Sequence, residues 1–273
     1  MTALEAVGAV ALELDAAGVP SPRADAELLV AHVLGTSRSG LHVAAGEVDT
    51  PRLRALVERR RAREPLAYVL GEWGFRRLVL GVDDRVLVPR PETEIVVERA
   101  LARIRDLERP RAADVGTGSG AIALALADEH PGVVVTAIDS SPGALVVAQA
   151  NAMRAGLQGR VHFVSGEGLA GVHGPFDLVV SNPPYVASEE LASLEPEVRA
   201  WEPREALVDV GMGEAIAAAA RRVLVPGGSL VLECAADRAV GFAELVCELG
   251  YADVALTRDL AGKDRVVEGR FDG

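Results

Sequence analysis

The stretch ADVGTGSGAIALALADEH, residues 113–130, decides the fold. An apolar strand end runs into Asp114-Val115-Gly116-Thr117-Gly118-Ser119-Gly120 and then straight into an apolar helix. In that setting glycines let a ligand approach the backbone closely. The spacing is G-x-G-x-G rather than G-x-G-x-x-G, so the pyrophosphate fingerprint is imperfectly met. The next predicted strand, VVVTAID (133–139), ends in Asp139, 25 residues after Asp114. A carboxylate there accepts hydrogen bonds from both hydroxyls of a ribose. Loop and acid together predict an adenosine-type cofactor, NAD or S-adenosylmethionine, in a Rossmann-like crevice.

Outward from that stretch, helices and strands alternate. EIVVERALARIRDL (94–107) reads as a helix, and PGALVVAQANAMRAG (142–156) as a helix ended by Gly156. VHFVS (161–165) and FDLVVS (176–181) read as strands, GEAIAAAARRVL as a helix closed by Pro226-Gly227-Gly228, and SLVLEC (229–234) as a strand. RAVGFAELVCELG is helical, and YADVALT and DRVVEGR are strands that would pair as an antiparallel edge hairpin. The alternation predicts an α/β fold with a parallel, doubly wound sheet of seven strands. Upstream, residues 1–64 read as helices. Ser21-Pro22 and Thr50-Pro51 mark two helix starts, and Gly35 marks an end. FRRLVLGVDDRVLV (75–88) predicts a hairpin turning at Asp83-Asp84. The expected domains are 1–70 (helical), 71–90 (hairpin linker) and 91–273 (catalytic).

Asn182-Pro183-Pro184-Tyr185 follows the strand FDLVVS, which places it at the carboxyl end of the sheet beside the cofactor crevice. Two successive prolines fix the backbone and remove two N–H donors. Carbonyl acceptors and the Asn182 side-chain oxygen then face the pocket, and the Tyr185 ring bounds it. Such a site suits a planar –NH2 group, whose nitrogen is a poor nucleophile because its lone pair is delocalised. Accepting both N–H groups would orient that nitrogen and stabilise the charge that develops on it. This motif favours S-adenosylmethionine over NAD.

With the DVGTGSG loop, Asn-Pro-Pro-Tyr resembles the S-adenosylmethionine-dependent amino-methyltransferases. More narrowly, the chain resembles the HemK/PrmC family, which methylates the glutamine amide of the Gly-Gly-Gln motif in bacterial peptide-chain release factors. GVPSPRADAELLVAHVLG (18–35), PLAYVLGEWGF (65–75), LVPRPETE (87–94), SNPPYV, EPREAL (202–207) and DLAGKDRVV (259–267) carry the resemblance almost end to end. It implies a Rossmann-like, seven-stranded methyltransferase domain behind a small helical domain that docks the release factor. It assigns Gly116, Thr117, Gly118, Ser119 and Gly120 to the methionine and ribose region of the cofactor, and Asp139 to the ribose hydroxyls. Asn182, Pro183, Pro184 and Tyr185 would hold the substrate amide, with Asn182, Pro183 and Tyr185 as catalytic residues and Asn182 also beside the cofactor. Arg90, Pro91, Glu92 and Thr93 would line the pocket mouth, though they read equally as a helix start. Gly168, on the adenine side, stands where some relatives have an aromatic residue. The strand SLVLEC continues as CAADRA where relatives often carry a glycine after Glu233. No metal and no covalent intermediate are implied. Glu189 and Glu190 lie near the motif but read as a helix start, so no proton acceptor is visible.

A ribosomal-protein glutamine methyltransferase shares these motifs. An N6-adenine DNA methyltransferase shares the chemistry but needs a basic segment to grip a duplex, and ASEELASLEPEVRAWEPREALVD (187–209) is acidic. An NAD oxidoreductase has no use for Asn-Pro-Pro-Tyr, and a non-catalytic binder would have no need to keep it. The 273 residues carry a net charge of −12, and 49% are hydrophobic. That composition supports a packed core and disfavours a phosphate backbone as partner. Aromatic residues, at 4%, are too few for a stacking platform for single strands. The only dense basic patch runs from Arg52 to Arg63, either a solvated helix face or a dock for an acidic protein or RNA. Cys234 and Cys247 read as buried reduced thiols. MTALEAVGAVALELDAAG (1–18) has neither the basic start of a signal peptide nor the apolar length of a membrane span. A monomeric cytoplasmic protein is expected, with a release factor as substrate and no direct DNA or membrane binding.

Overall fold

A strand buried on both faces needs apolar side chains on both faces, and the strands of this chain supply them. The computed structural model describes residues 1–44 and 48–273. In chain order the elements are α1 (Ala3–Ala16), α2 (Pro22–Leu34), α3 (Thr50–Arg61), α4 (Leu66–Leu70), β1 (Glu72–Phe75), β2 (Leu78–Gly81), α5 (Thr93–Ile104) and β3 (Arg111–Val115). There follow α6 (Ala121–Glu129), β4 (Val134–Asp139), α7 (Pro142–Ala155), β5 (Val161–Ser165), β6 (Phe176–Ser181) and α8 (Pro196–Trp201). The chain closes with α9 (Met212–Ala220), β7 (Leu224–Glu233), α10 (Ala239–Glu248), β8 (Tyr251–Arg258) and β9 (Asp264–Phe271). These divide into two compact units, Met1–Glu72 with Leu194–Trp201, and Trp73–Ser193 with Glu202–Gly273.

The second unit holds a seven-stranded sheet in the order β5-β4-β3-β6-β7-β9-β8. Strands β3 to β7 are parallel to one another, whereas β9 runs antiparallel to both β7 and β8. The last two strands therefore do form a hairpin, but β9 is inserted beside β7 and only β8 lies at the edge. Alternate residues feed two cores. Ala112, Leu178, Val180 and Val231 pack with Val97, Ile104 and Leu124 from α5 and α6. Ala113, Val179, Leu230 and Leu232 pack with Ile216, Ala217 and Val246 from α9 and α10. This two-sided burial explains why the strands read as continuous apolar runs.

Several local expectations move. The hairpin β1–β2 turns at Arg76-Arg77, not at Asp83-Asp84, and belongs to the second unit. Arg76 adopts φ +50°, a conformation that L residues seldom take. It is held there because its N–H donates to Glu94 Oε1 (2.9 Å), its Nη1 to the Glu94 carbonyl (3.1 Å) and its Nη2 to Glu129 Oε2 (2.7 Å). Asp49, not Thr50, caps α3, accepting from the Arg52 N–H. Ser21 caps α2 by position but makes no side-chain cap bond. Pro226-Gly227-Gly228 lies inside β7, where the register with β6 shifts, rather than ending α9. Cys234 is buried, but Cys247 is exposed because it sits one step around α10 from the buried Val246. The short helices α4 and α8 were not expected. Among the described residues no helix is long and apolar enough to cross a membrane.

The arginine patch is largely internal to the first unit. Arg60 is buried, with its Nε donating to Asp25 Oδ2 at 2.8 Å and its Nη1 lying 2.7 Å from Glu197 Oε1. Arg63 grips Glu197 through Nε (2.7 Å) and Nη2 (2.6 Å), and Arg59 grips Glu64 through Nε (2.8 Å). Arg61 pairs with Glu58 at 3.0 Å. Four arginines that looked like a docking face are thus bound to carboxylates of their own unit. Burial pushes the Glu197 carboxyl up, but Arg63 and Arg60 outweigh it and hold the group below its ordinary value. Replacing Arg60 by methionine keeps the stem but strands the buried Asp25 carboxylate, while Glu197 keeps Arg63. We expect the first unit to lose about 3–5 kcal/mol, measured by urea unfolding followed by helical circular dichroism. Because the Glu197 pKa is depressed on folding, its contribution is present above its ordinary value of 4.5 and is lost as pH falls below it. Unfolding midpoints of the first unit measured from pH 7 to pH 3 should fall most steeply in that acid range and less steeply in Glu197→Gln.

Candidate active site

In an open parallel sheet, ligands bind beyond the carboxyl ends of strands where the strand order reverses. Here β3 lies between β4 and β6, and the loops that leave β3 and β6 diverge from that point. The crevice between them holds about 780 Å³ of space, part of it continuous with solvent. Its lining includes Gly116, Gly118 and Asp139 from one side and Asn182, Pro183 and Pro184 from the other. The two sequence motifs therefore share one cavity.

The three loop glycines are needed for different reasons. Gly116 and Gly118 have φ of +71° and +54°, and a Cβ on either would meet nothing within 4 Å. Their side of the loop is open space that a ligand can enter. At Gly120, φ +84°, a Cβ would come within 3.1 Å of Leu124 Cδ1 and 3.3 Å of Ala148 Cβ, so this glycine lets α6 pack against α7. Thr117 and Ser119 are buried and point inward. The Thr117 hydroxyl donates to Asp114 Oδ2 (2.6 Å), and the Ser119 carbonyl accepts from Asn151 Nδ2 (2.8 Å). Of the five loop residues assigned to the cofactor, Gly116 and Gly118 line the crevice, and the other three hold the loop in shape.

Four N–H donors of this loop are already used. The Gly116 and Thr117 N–H groups donate to the Ile138 carbonyl at 2.8 and 2.9 Å, and the Gly120 N–H to the Thr117 carbonyl at 2.8 Å. The Gly118 N–H donates to Asp139 Oδ2 at 2.8 Å, while Asp139 Oδ1 accepts from the Ser141 N–H at 2.9 Å. A pyrophosphate needs free N–H groups at a helix start and no carboxylate behind them. This loop has an acidic floor, with the Gly116, Thr117, Gly118 and Gly120 N–H groups already bonded. It fits a cofactor with cationic groups and a ribose, as S-adenosylmethionine has. Gly168, which the resemblance puts on the adenine side, has φ +57°, and the nearest atom to a Cβ there would be Met212 Sδ at 3.8 Å. Gly168, Met212 and Ile216 line the same crevice.

The Asn-Pro-Pro-Tyr loop rests on buried polar groups. Asn182 Nδ2 donates to Thr93 Oγ1 (3.1 Å), the Thr93 hydroxyl donates to Glu233 Oε2 (2.7 Å), and the Tyr185 hydroxyl donates to Glu233 Oε1 (3.0 Å). Burial pushes the Glu233 carboxyl up to about 7, against hydrogen bonds from Thr93 and Tyr185. Burial first, and then the neighbouring Glu233, push the Tyr185 phenol well above its usual range. Beneath the glycine loop, burial likewise raises Asp114 to about 7. Both shifts have burial as their leading cause, one carboxyl beneath each loop.

Thr93 is buried behind Asn182 and not at the pocket mouth. Arg90 donates to both oxygens of the buried Glu202 at 2.6 and 2.7 Å, which anchors the EPREAL segment. Pro91 is exposed and Glu92 is partly buried; neither lines the crevice. The crevice lining instead includes Arg85, Val86 and Leu87 and also Pro203, Glu205 and Ala206. The last three lie in EPREAL, a block that the sequence reading matched without assigning it a role. Tyr185 lines a second, adjoining hollow with Glu233, Arg238 and Phe242, on the far side of the prolines. Glu189 and Glu190 are exposed, and Glu190 accepts from the Ala187 N–H (2.9 Å), so neither reaches the site. Among the described residues no group of three or more His, Cys, Asp or Glu could hold a metal ion.

A family model described as the PrmC N-terminal domain matches residues 5–71, and one described as the methyltransferase small domain matches residues 93–195. The release factor glutamine methyltransferase of Deinococcus radiodurans is 44% identical over 270 residues, 95% of either chain. That of Salmonella typhimurium is 41% identical over 261 residues, 92% of this chain and 93% of the relative. Among solved structures, the hMettl16 catalytic domain covers 70% of this chain and 76% of its own, with a TM-score of 0.56 at 16% identity, and supports the fold alone. With that identity sustained across both units, this chain belongs to the release factor glutamine methyltransferase family.

Proposed function

We propose that this chain methylates the side-chain amide nitrogen of the glutamine in the Gly-Gly-Gln motif of bacterial peptide-chain release factors, in the cytoplasm. One observation carries the reading: Asn182, Pro183 and Pro184 line the same crevice as Gly116, Gly118 and Asp139. S-adenosylmethionine, which the crevice fits, would supply an electrophilic methyl group on a sulfonium and leave as S-adenosylhomocysteine once the S–CH3 bond breaks, the methylated nitrogen giving up one proton to water. Asp139 would accept the ribose hydroxyls, Gly116 and Gly118 would leave room for the amino-acid portion, and Met212 and Ile216 would cover the adenine.

The substrate amide is planar, and its nitrogen must be turned toward the methyl group. Asn182 commits its Nδ2 to Thr93, which leaves its Oδ1 as the pole available to a substrate N–H. The Pro183 carbonyl accepts the other N–H, and neither proline offers a competing donor. Two acceptors fix the nitrogen in an attack geometry and stabilise the positive charge that grows on it. They are preorganised by buried bonds and need not rearrange as the charge develops.

Incubating the protein with S-adenosylmethionine and a purified release factor should add one methyl group to the glutamine of the Gly-Gly-Gln peptide, mapped by mass spectrometry. A methyl group on another residue, with none on that glutamine, would refute the proposal. Asn182→Ala should lower kcat by about 100- to 1000-fold, the scale seen when one preorganised hydrogen-bonding group is removed, while calorimetric cofactor affinity changes little. Asp139→Asn forces an NH2 against the N–H of Gly118 or Ser141 and removes the anionic acceptor. Cofactor affinity should fall by about 10- to 100-fold, as expected for hydrogen bonds to a charged group worth about 1.5–3 kcal/mol.

A further inference from the structure

The side-chain amide of Asn182 has two ends, and only one suits a substrate –NH2. An oxygen facing the crevice accepts an N–H, whereas an NH2 facing it would repel the substrate nitrogen. Something in the protein must choose between the two. Thr93 alone cannot, because a hydroxyl serves equally as donor or acceptor.

The choice is made one residue further back. When ionised, the Glu233 carboxylate only accepts, so against its Oε2 the Thr93 hydroxyl then donates its single proton, across 2.7 Å. Toward Asn182, 3.1 Å away, Thr93 Oγ1 is then left with lone pairs only and must receive Nδ2–H. The second carboxylate oxygen accepts from the Tyr185 hydroxyl at 3.0 Å, so both oxygens have donors and the carboxylate cannot turn to another arrangement without losing one. We infer that Glu233, acting through Thr93, is the positioning residue that fixes which end of the Asn182 amide faces the crevice and holds Tyr185 in place. This rests on the reading of Asn182 as the acceptor for the substrate amide. Glu233 is 1% exposed and Thr93 4%, so water does not compete for either group.

The test is Glu233→Gln, which keeps shape and burial but adds a donor. A glutamine NH2 facing Thr93 turns the hydroxyl around, and the hydroxyl then donates to Asn182 and favours the flipped amide. In 1H–15N spectra the Asn182 side-chain amide, assigned by its absence in Asn182→Ala, should show one proton protected from exchange in the parent protein. That protection should fall at least 10-fold in Glu233→Gln and in Thr93→Val. With a release factor as substrate, both variants should lose about 10- to 100-fold in kcat, with cofactor affinity within about twofold of the parent. Thr93→Ser, which restores the hydroxyl, should recover most of what Thr93→Val loses in both readouts. A merely structural role predicts otherwise, because exchanging a buried carboxylate for a neutral amide tends to leave stability unchanged or raised. Unaltered protection and unaltered kcat in Glu233→Gln would overturn the inference. So would Thr93→Ser failing to recover either readout. The spectroscopic arm does not need a substrate. A parent protein inactive on release factors but with the expected amide protection and its loss in Glu233→Gln would sink the proposed function and leave the amide polarity standing.

Discussion

The parallel pairing of β3 with β6 is the constraint on which the rest of the site depends. Its register sets Val115 opposite Ser181, the last residues of the two strands, so both strands end at the same level. The Ser181 hydroxyl donates to the Val115 carbonyl at 2.6 Å and closes the final step of the ladder from the side-chain position. From that shared edge the glycine loop begins with the next residue on one strand, and Asn182 with the next residue on the other. A slip of one residue in a parallel pair would put core side chains on the wrong face as well as separating the loops. The two apolar cores that enforce the register therefore also enforce the distance between cofactor loop and substrate loop.

Buried acids tie each loop down. Asp114 closes the glycine loop by accepting from the Thr117 hydroxyl and the Ala123 N–H (3.1 Å), which fastens strand end, loop and first turn of α6 to one carboxyl. Its other oxygen, Oδ1, has no hydrogen-bond partner among the described residues. Leaving a buried oxygen unpaired is unfavourable, and the rise of the Asp114 pKa to about 7 is the electrostatic expression of that burial. Glu233 is treated alike at the other loop. Neither acid would be chosen for stability alone, because an apolar residue in either place would avoid the desolvation. What each gains is direction: in its ionised form the carboxylate dictates that its neighbours donate, and that rigidity is what a preorganised site requires.

These acids also show where sequence reading stops. The strand–loop–helix at 113–130, the acid at Asp139 and the acceptor-rich loop at Asn182 were legible because each is a short pattern whose chemistry is complete within a few residues. The parallel sheet was legible from alternation. Glu233 was visible only as the end of a strand, because its meaning depends on Thr93 and Tyr185, 140 and 48 residues away. Thr93 looked like a helix start and is one; that it also carries the Asn182 amide is a tertiary fact. Local pattern misplaced the β1–β2 turn as well. Asp83-Asp84 has turn composition, but Arg76 turns the chain because Glu94 and Glu129 hold it in a conformation its own propensity disfavours.

Charge was the other signal that changed meaning once partners were known. Read along the chain, Arg52–Arg63 is a basic patch and residues 187–209 an acidic run, and each suggested something about an outside partner. In the structure the two meet, since Arg60 and Arg63 bind Glu197 and Arg63 also reaches Glu195 at 3.2 Å. The acidity after Asn-Pro-Pro-Tyr is thus partly consumed inside the first unit, and it cannot all be counted as a field that repels nucleic acid. The same bonds, however, consume the cations that would have been needed to attract it. A phosphate backbone is gripped by arginines that are free to shed water and counterions, not by ones already held by buried carboxylates. Both halves of the charge argument shrink together, and what survives is the chain's overall −12 with its densest basic patch largely neutralised.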